Sequence, residues 1–310
     1  MKYFSVLILS VFILSACGSN DDEGSNIDND SSWPPSSVNS DPDSFGNILD
    51  SAVEGLRYIS GDHYGTTDSD GKFGYIAGEK IQFLIGDILI GEAVLPSSRL
   101  TPYELANGNS SVALNIIRFL LTLDNDADPN NGIQINETVH SLATGRSVNF
   151  SGADWEPPLV PDIERSDLNN MLFDLTSETE AGSRSLVDGY SAYGHFSYTL
   201  DTLIDDLATE IDGMGKQSSC DTDNQCLVAE LATKYTGYCP PSGPVIVYSQ
   251  KDIDYSVFDS LVSKREYLID AKIYIESAAG ASDTSTGLCM RLPQTYRPVC
   301  NVSNHCEILD

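Results

Sequence analysis

Basic side chains are scarce in this chain: Lys and Arg number 17 against 46 Asp and Glu, a formal charge of −29 over 310 residues. So negative a surface excludes the phosphate-tracking recognition of nucleic acid and electrostatic docking on anionic lipid. It suits solvation of an exported surface and leaves cations as the favoured charged ligands. Histidine is scarce too, with only His63, His140, His195 and His305. None forms a His-x-x-x-His or His-Glu-x-x-His pair, which excludes the helical zinc-hydrolase pattern. The chain also lacks a Cys-x-x-Cys pair, a Gly-x-Ser-x-Gly elbow, a Gly-x-x-x-x-Gly-Lys-Ser/Thr phosphate loop and a dinucleotide fingerprint, so no organic cofactor is expected. The apolar run at residues 3–14 is too short for an ordinary transmembrane helix.

That run has another reading. Lys2 precedes it, and Leu14-Ser15-Ala16-Cys17 closes it. A charged start, an apolar middle and small residues before a cut are the order of a secretory signal. The cysteine in register with the small residues resembles the bacterial lipobox. The resemblance implies removal of residues 1–16 and lipid on Cys17, so that the chain is tethered to a membrane and does not span it. Gly18 stands where inner-membrane retention would place an aspartate, which by the same resemblance points to the outer membrane. Residues 17–47 then read as a tether. From Gly18 onwards they are Ser, Asn, Asp, Gly and Pro with few large apolar residues, and they carry seven acids (Asp21, Asp22, Glu23, Asp28, Asp30, Asp41, Asp43) and no base. Such a segment cannot bury enough apolar surface to offset its chain entropy and is expected to be disordered.

The remaining six cysteines, Cys220, Cys226, Cys239, Cys289, Cys300 and Cys306, all fall in the last third. An even number in one region of an exported chain predicts three disulfides, with the pairing left open.

Residues 48–100 show a period of two. Alternation predicts a strand over residues 51–58, a hairpin turn over residues 67–73 around Asp70-Gly71, and strands at residues 80–85 and 87–90 separated by Gly86. Short strands with Gly and Asp turns point to a small β-sandwich. The runs Asp50-Ser-Ala-Val-Glu-Gly55, Gly65-Thr-Thr-Asp-Ser-Asp-Gly71-Lys-Phe73 and Phe83-Leu-Ile-Gly86-Asp-Ile-Leu-Ile-Gly91 resemble the carboxypeptidase-regulatory or transthyretin-like sandwich module of bacterial lipoproteins and surface proteins. These are mostly turn glycines, so the resemblance implies a fold and no activity.

Residues 101–215 read as a helical region. Ser110 or Ser111 is expected to cap a helix running to Leu123, with further helices at residues 167–175 and 193–211. Between the first two lies Asp124-Asn-Asp126-Ala-Asp128-Pro-Asn130-Asn-Gly132. Asp124, Asp126, Asp128 and Asn130 occupy positions one, three, five and seven of a calcium loop, and alternate residues can turn oxygens towards one hard cation. Pro129 stands at the glycine position and Ile135 at the bidentate acid, so this is no EF-hand, and a solvated turn that stops the helix is the competing reading. His195, near the start of the third helix, reads as a capping or packing residue. Residues 216–310 read as a cysteine-rich α+β module with strands at 226–232 and 244–249 and a helix at 254–269.

The sequence therefore predicts an α+β protein: a small antiparallel sandwich, a helical segment and a disulfide-stapled α+β module. Its expected role is non-enzymatic binding or adhesion at the cell envelope, towards a protein or glycan, with calcium as the one cofactor. The alternatives are an envelope hydrolase with acids on scattered loops, and an inhibitor presenting the loop at residues 238–245.

Overall fold

The computed structural model describes residues 33–35, 39–152, 155, 167–234, 243–281 and 295–309. Cys17, Cys239, Cys289 and the loop at 238–242 lie outside them. Strands β1 (Ser44–Ile48), β2 (Val53–Glu54), β3 (Arg57–Ser60), β4 (His63–Thr66), β5 (Lys72–Tyr75), β6 (Ile81–Ile85), β7 (Ile88–Val94) and β8 (Arg99–Leu100) come first. Helices α1 (Pro102–Leu105) and α2 (Ser110–Leu123) follow, then β9 (Ile133–Gln134), α3 (Glu137–Ala143), α4 (Asp167–Leu175) and α5 (Gly189–Gln217). The C-terminal part holds β10 (Cys226–Glu230), β11 (Val245–Ser249), α6 (Tyr255–Ala278), β12 (Arg297–Cys300) and β13 (Cys306–Leu309). No helix among the described residues is long and apolar enough to cross a membrane.

The α+β class is as expected, but the strands of residues 48–100 are divided among three small sheets. One is four-stranded, in the order β4-β3-β6-β7, one is three-stranded, β5-β1-β8, and β2 pairs in parallel with β9. The strand expected over 51–58 breaks because Gly55 takes φ +83°, a conformation that favours glycine. The turn around Asp70-Gly71 forms, with Gly71 N–H donating to the Asp68 carbonyl at 2.8 Å. It is not a hairpin, since β4 and β5 on its two sides belong to different sheets. The tether expectation also reached too far. β1 starts at Ser44, and Asn39 exchanges two hydrogen bonds with the Tyr64 backbone.

One apolar core runs from Ile48 through the strands, α2, α4 and α5 to Ile275 on α6. Phe73 and Phe83 meet edge to face at 5.3 Å inside it, joining the two larger sheets. α2 is the central helix: nine of its fourteen residues are buried. At about 1.5–3 kcal/mol for each fully buried large aliphatic or aromatic side chain, it is a principal source of cohesion. Its cap is Asn109, whose Oδ1 accepts from the Ser111 and Val112 amides, rather than either serine. A smaller cluster of Ile211, Leu231, Ile246 and Phe258 packs β10 and β11 against α5 and α6.

Candidate functional site

α2 ends where Asp124 leaves helical geometry, and the acidic loop begins there. Asp124 has no exposed surface. Its Oδ1 accepts from the Gln134 amide at 2.9 Å, while Oδ2 has no hydrogen-bond partner. Burial pushes its carboxyl up to about 6, and the neighbouring Asp126 adds to the rise against the pull of the Gln134 amide and Arg184. Arg184 ties the loop to the helices: Nε donates to the Thr122 carbonyl at 2.7 Å, and a second nitrogen donates to the Asp124 carbonyl. Asp126 is exposed, with Oδ1 accepting from the Asp128 amide at 2.9 Å and Oδ2 from Asn131 Nδ2 at 2.8 Å. Asp128 turns to Asn130, accepting from its Nδ2 at 2.7 Å. The structure thus brings Asp124 and Asp126 together and closes Asp128 and Asn130 on each other. Among the described residues the three aspartates do not gather within 4.8 Å of one another.

A second polar node lies against this loop. Asp50 and Ser51 form a tight turn closed by a bridge between Leu49 and Ala52. Ser51 holds φ +60°, a left-handed conformation uncommon for serine. The turn is clamped by α5: His195 Nε2 stands 3.1 Å from Ser51 Oγ, and Thr199, one helical turn on, accepts from the Ser51 amide at 3.1 Å. Ser51 Oγ also reaches the Pro129 carbonyl of the acidic loop at 3.2 Å. Asp50 is wholly buried, and neither carboxylate oxygen has a hydrogen-bond partner. His195 Nε2 approaches its Oδ1 at 3.7 Å and its main-chain carbonyl at 3.4 Å. Burial raises the Asp50 carboxyl well above its ordinary range and lowers the His195 imidazole. His195 was expected only to cap or pack, and Asp50 and Ser51 carried no expected chemical role. The missed signal is an aspartate between Ile48 and Val53, both fully buried.

His140 and His63 have structural roles. His140 Nδ1 accepts from the Gly86 amide at 2.9 Å and its Nε2 donates to the Gly55 carbonyl at 2.7 Å, which fixes its tautomer. His63 Nδ1 meets the Ser40 carbonyl at 2.7 Å. Four of the six cysteines form two disulfides, Cys220–Cys300 and Cys226–Cys306. The sulfurs of Cys220, Cys226 and Cys306 lie within 4.8 Å of one another, so the two bridges are neighbours.

An open groove of about 670 Å³ lies beside the edge strand β7. Lys80, Glu92, Asn107, Asn109, Asn149 and Phe150 are among its walls. It contains no histidine and a single carboxylate. No protein-family model, curated protein or solved structure matches the chain.

Proposed function

We propose that the protein is an outer-membrane lipoprotein, anchored through Cys17, whose folded part binds a glycan at the cell envelope without catalysing a reaction on it. The carrying observation is the β7 groove. Asn107 brings an amide donor and acceptor to it, Asn109 and Asn149 bring amide nitrogens while their carbonyls accept from Ser111, Val112 and Ser151, and Lys80 and Glu92 cancel in charge. Neutral sugar hydroxyls are matched by such a lining, whereas an anionic or cationic ligand is not. The two disulfides support an oxidising, exported setting for the fold. Calcium is the proposed cofactor of the acidic loop. The unpartnered Asp124 Oδ2 beside Asp126 supports it, because a buried carboxylate oxygen calls for a donor or a cation.

A hydrolase is the second reading, favoured by the contact of Ser51 with His195. The arrangement does not support it as a relay. Ser51 Oγ and the Asp50 carboxylate both address Nε2, whereas a serine nucleophile needs its acid on the opposite ring nitrogen. The test uses the chain without residues 1–16 and with Cys17→Ser, screened against oligosaccharides. Retention of a neutral glycan, weakened at least tenfold by the combined Lys80→Ala and Glu92→Gln changes, is the expected result. Capture of protein partners alone, or no glycan bound above background, overturns the reading.

A further inference from the structure

The turn at Asp50 and Ser51 poses a chemical problem that the groove does not address. A carboxylate with no exposed surface and no hydrogen-bond partner on either oxygen is among the costliest arrangements a fold can hold. A proton on one oxygen would leave the other bare. A cation bound between the two and the surrounding lone pairs would satisfy both.

The neighbours have the spacing that such an ion requires. His195 Nε2 stands 3.1 Å from Ser51 Oγ, 3.4 Å from the Asp50 carbonyl and 3.7 Å from Asp50 Oδ1. Donors held about 2.0–2.3 Å from one metal at angles of about 90–110° stand about 3–3.7 Å apart. The Ser51 hydroxyl donates its hydrogen to the Pro129 carbonyl at 3.2 Å, which leaves its oxygen lone pairs for an ion on the His195 side. The left-handed backbone of Ser51 is what turns its hydroxyl to this point, and strain of this kind concentrates at functional sites. Two chain segments 145 residues apart are thereby joined.

We infer that Asp50, Ser51 and His195 form a binding site for one divalent first-row metal ion of the zinc or manganese class. The Asp50 carboxylate supplies the negative charge, His195 Nε2 the nitrogen that selects against calcium and magnesium, and Ser51 Oγ with the Asp50 main-chain carbonyl the remaining oxygens. Among the described residues, the four cysteines that could compete for zinc are oxidised in the two disulfides. The site is distinct from the acidic loop, where all donors are oxygens, and it does not depend on glycan binding.

The experiment takes the lipid-free mature chain, stripped with chelator and dialysed, and titrates it with Zn2+, Mn2+ or Ca2+ by calorimetry, with melting curves in parallel. Zn2+ or Mn2+ should bind with one-to-one stoichiometry and raise Tm. Asp50→Asn and His195→Gln should each weaken that binding at least tenfold, and Asp124→Asn should leave it unchanged. No binding of either ion, a response to Ca2+ alone, or full affinity in the His195→Gln protein overturns the inference. Should either variant fail to fold, pulsed electron paramagnetic resonance of Mn2+ bound to a His305→Ala chain decides. His63 and His140 have both ring nitrogens engaged by the chain, so coupling to an imidazole nitrogen then reports His195. Absence of that coupling overturns the site.

Discussion

Removing one disulfide should cost less than half of what removing both costs, because the two bridges do not close two independent loops. Each spans 80 residues of sequence, Cys220 to Cys300 and Cys226 to Cys306. In the loop-entropy account a bridge of that span destabilises the unfolded chain by about 4.5 kcal/mol at 25 °C. Once the first is closed, the second closes only the small ring made by residues 220–226 and 300–306. That ring of about 12 residues is worth about 3 kcal/mol on the same scale. The paired changes Cys220→Ala/Cys300→Ala or Cys226→Ala/Cys306→Ala should therefore each cost about 3 kcal/mol, and the fourfold change about 7 kcal/mol or a little more. Urea unfolding under non-reducing conditions, with the slope m followed for each variant, measures this directly. The decisive quantity is the shortfall: the two paired costs must add up to less than the fourfold cost. If they add up to the fourfold cost or exceed it, the bridges act as separate staples and the shared-loop reasoning fails.

Two other outcomes follow from the buried polar groups. His140 is held neutral chiefly by burial, aided by the nearby Arg57 and opposed by the Gly55 carbonyl and Glu137. Its folded pKa is thus below its unfolded one, so the unfolded chain binds the extra proton first and stability must fall as pH drops below about 6.5. Protonation also puts a hydrogen on Nδ1, where the Gly86 amide now donates. Melting curves between pH 8 and pH 5 should show a loss that shrinks in His140→Gln, and an identical pH dependence in that variant would refute the assignment. At the acidic loop, Ca2+ added at about a hundred times its Kd to metal-stripped protein should stabilise the fold by about 2.7 kcal/mol. A Tm that does not move with Ca2+, or that moves equally in Asp124→Asn, rejects calcium there.

Local pattern made several elements legible before any coordinates. The ends of α2 and α4 are readable because apolar residues fill one face to the last turn, and Leu123 is followed at once by a polar loop. The apolar pattern predicts α5 over residues 193–211, whereas the helix spans Gly189–Gln217. Its last turns, Asp212 to Gln217, carry little apolar periodicity, and its start is set by Asp188, whose carboxylate accepts from the Ser191 amide. The pattern ends α6 at Ile269, nine residues before its observed end at Ala278, for a related reason. Ile273 and Tyr274 beyond it are exposed, so the apolar face no longer repeats cleanly. The sheets were less legible. Alternation shows that a segment is extended but not which neighbour it pairs with, and β1 pairs with β8 in parallel across 50 residues of intervening strands.

The Asp50 node shows why a site can escape a motif search altogether. Motifs encode donors close in sequence or at helical spacing, and here the carboxylate and the imidazole come from a turn and a helix far apart in the chain. What brings them together is packing. α5 buries Ala192, Phe196, Leu200 and Leu203 in the shared core, and that face fixes the rotation of the helix about its axis. With the rotation set, His195 and Thr199, adjacent turns of one stripe, must face the Asp50–Ser51 turn. The apolar periodicity that was legible in α5 therefore determines the polar contact that was not. Placing a polar pair on that stripe, opposite a buried aspartate, costs stability unless something compensates the charge, and the ion proposed above is that compensation.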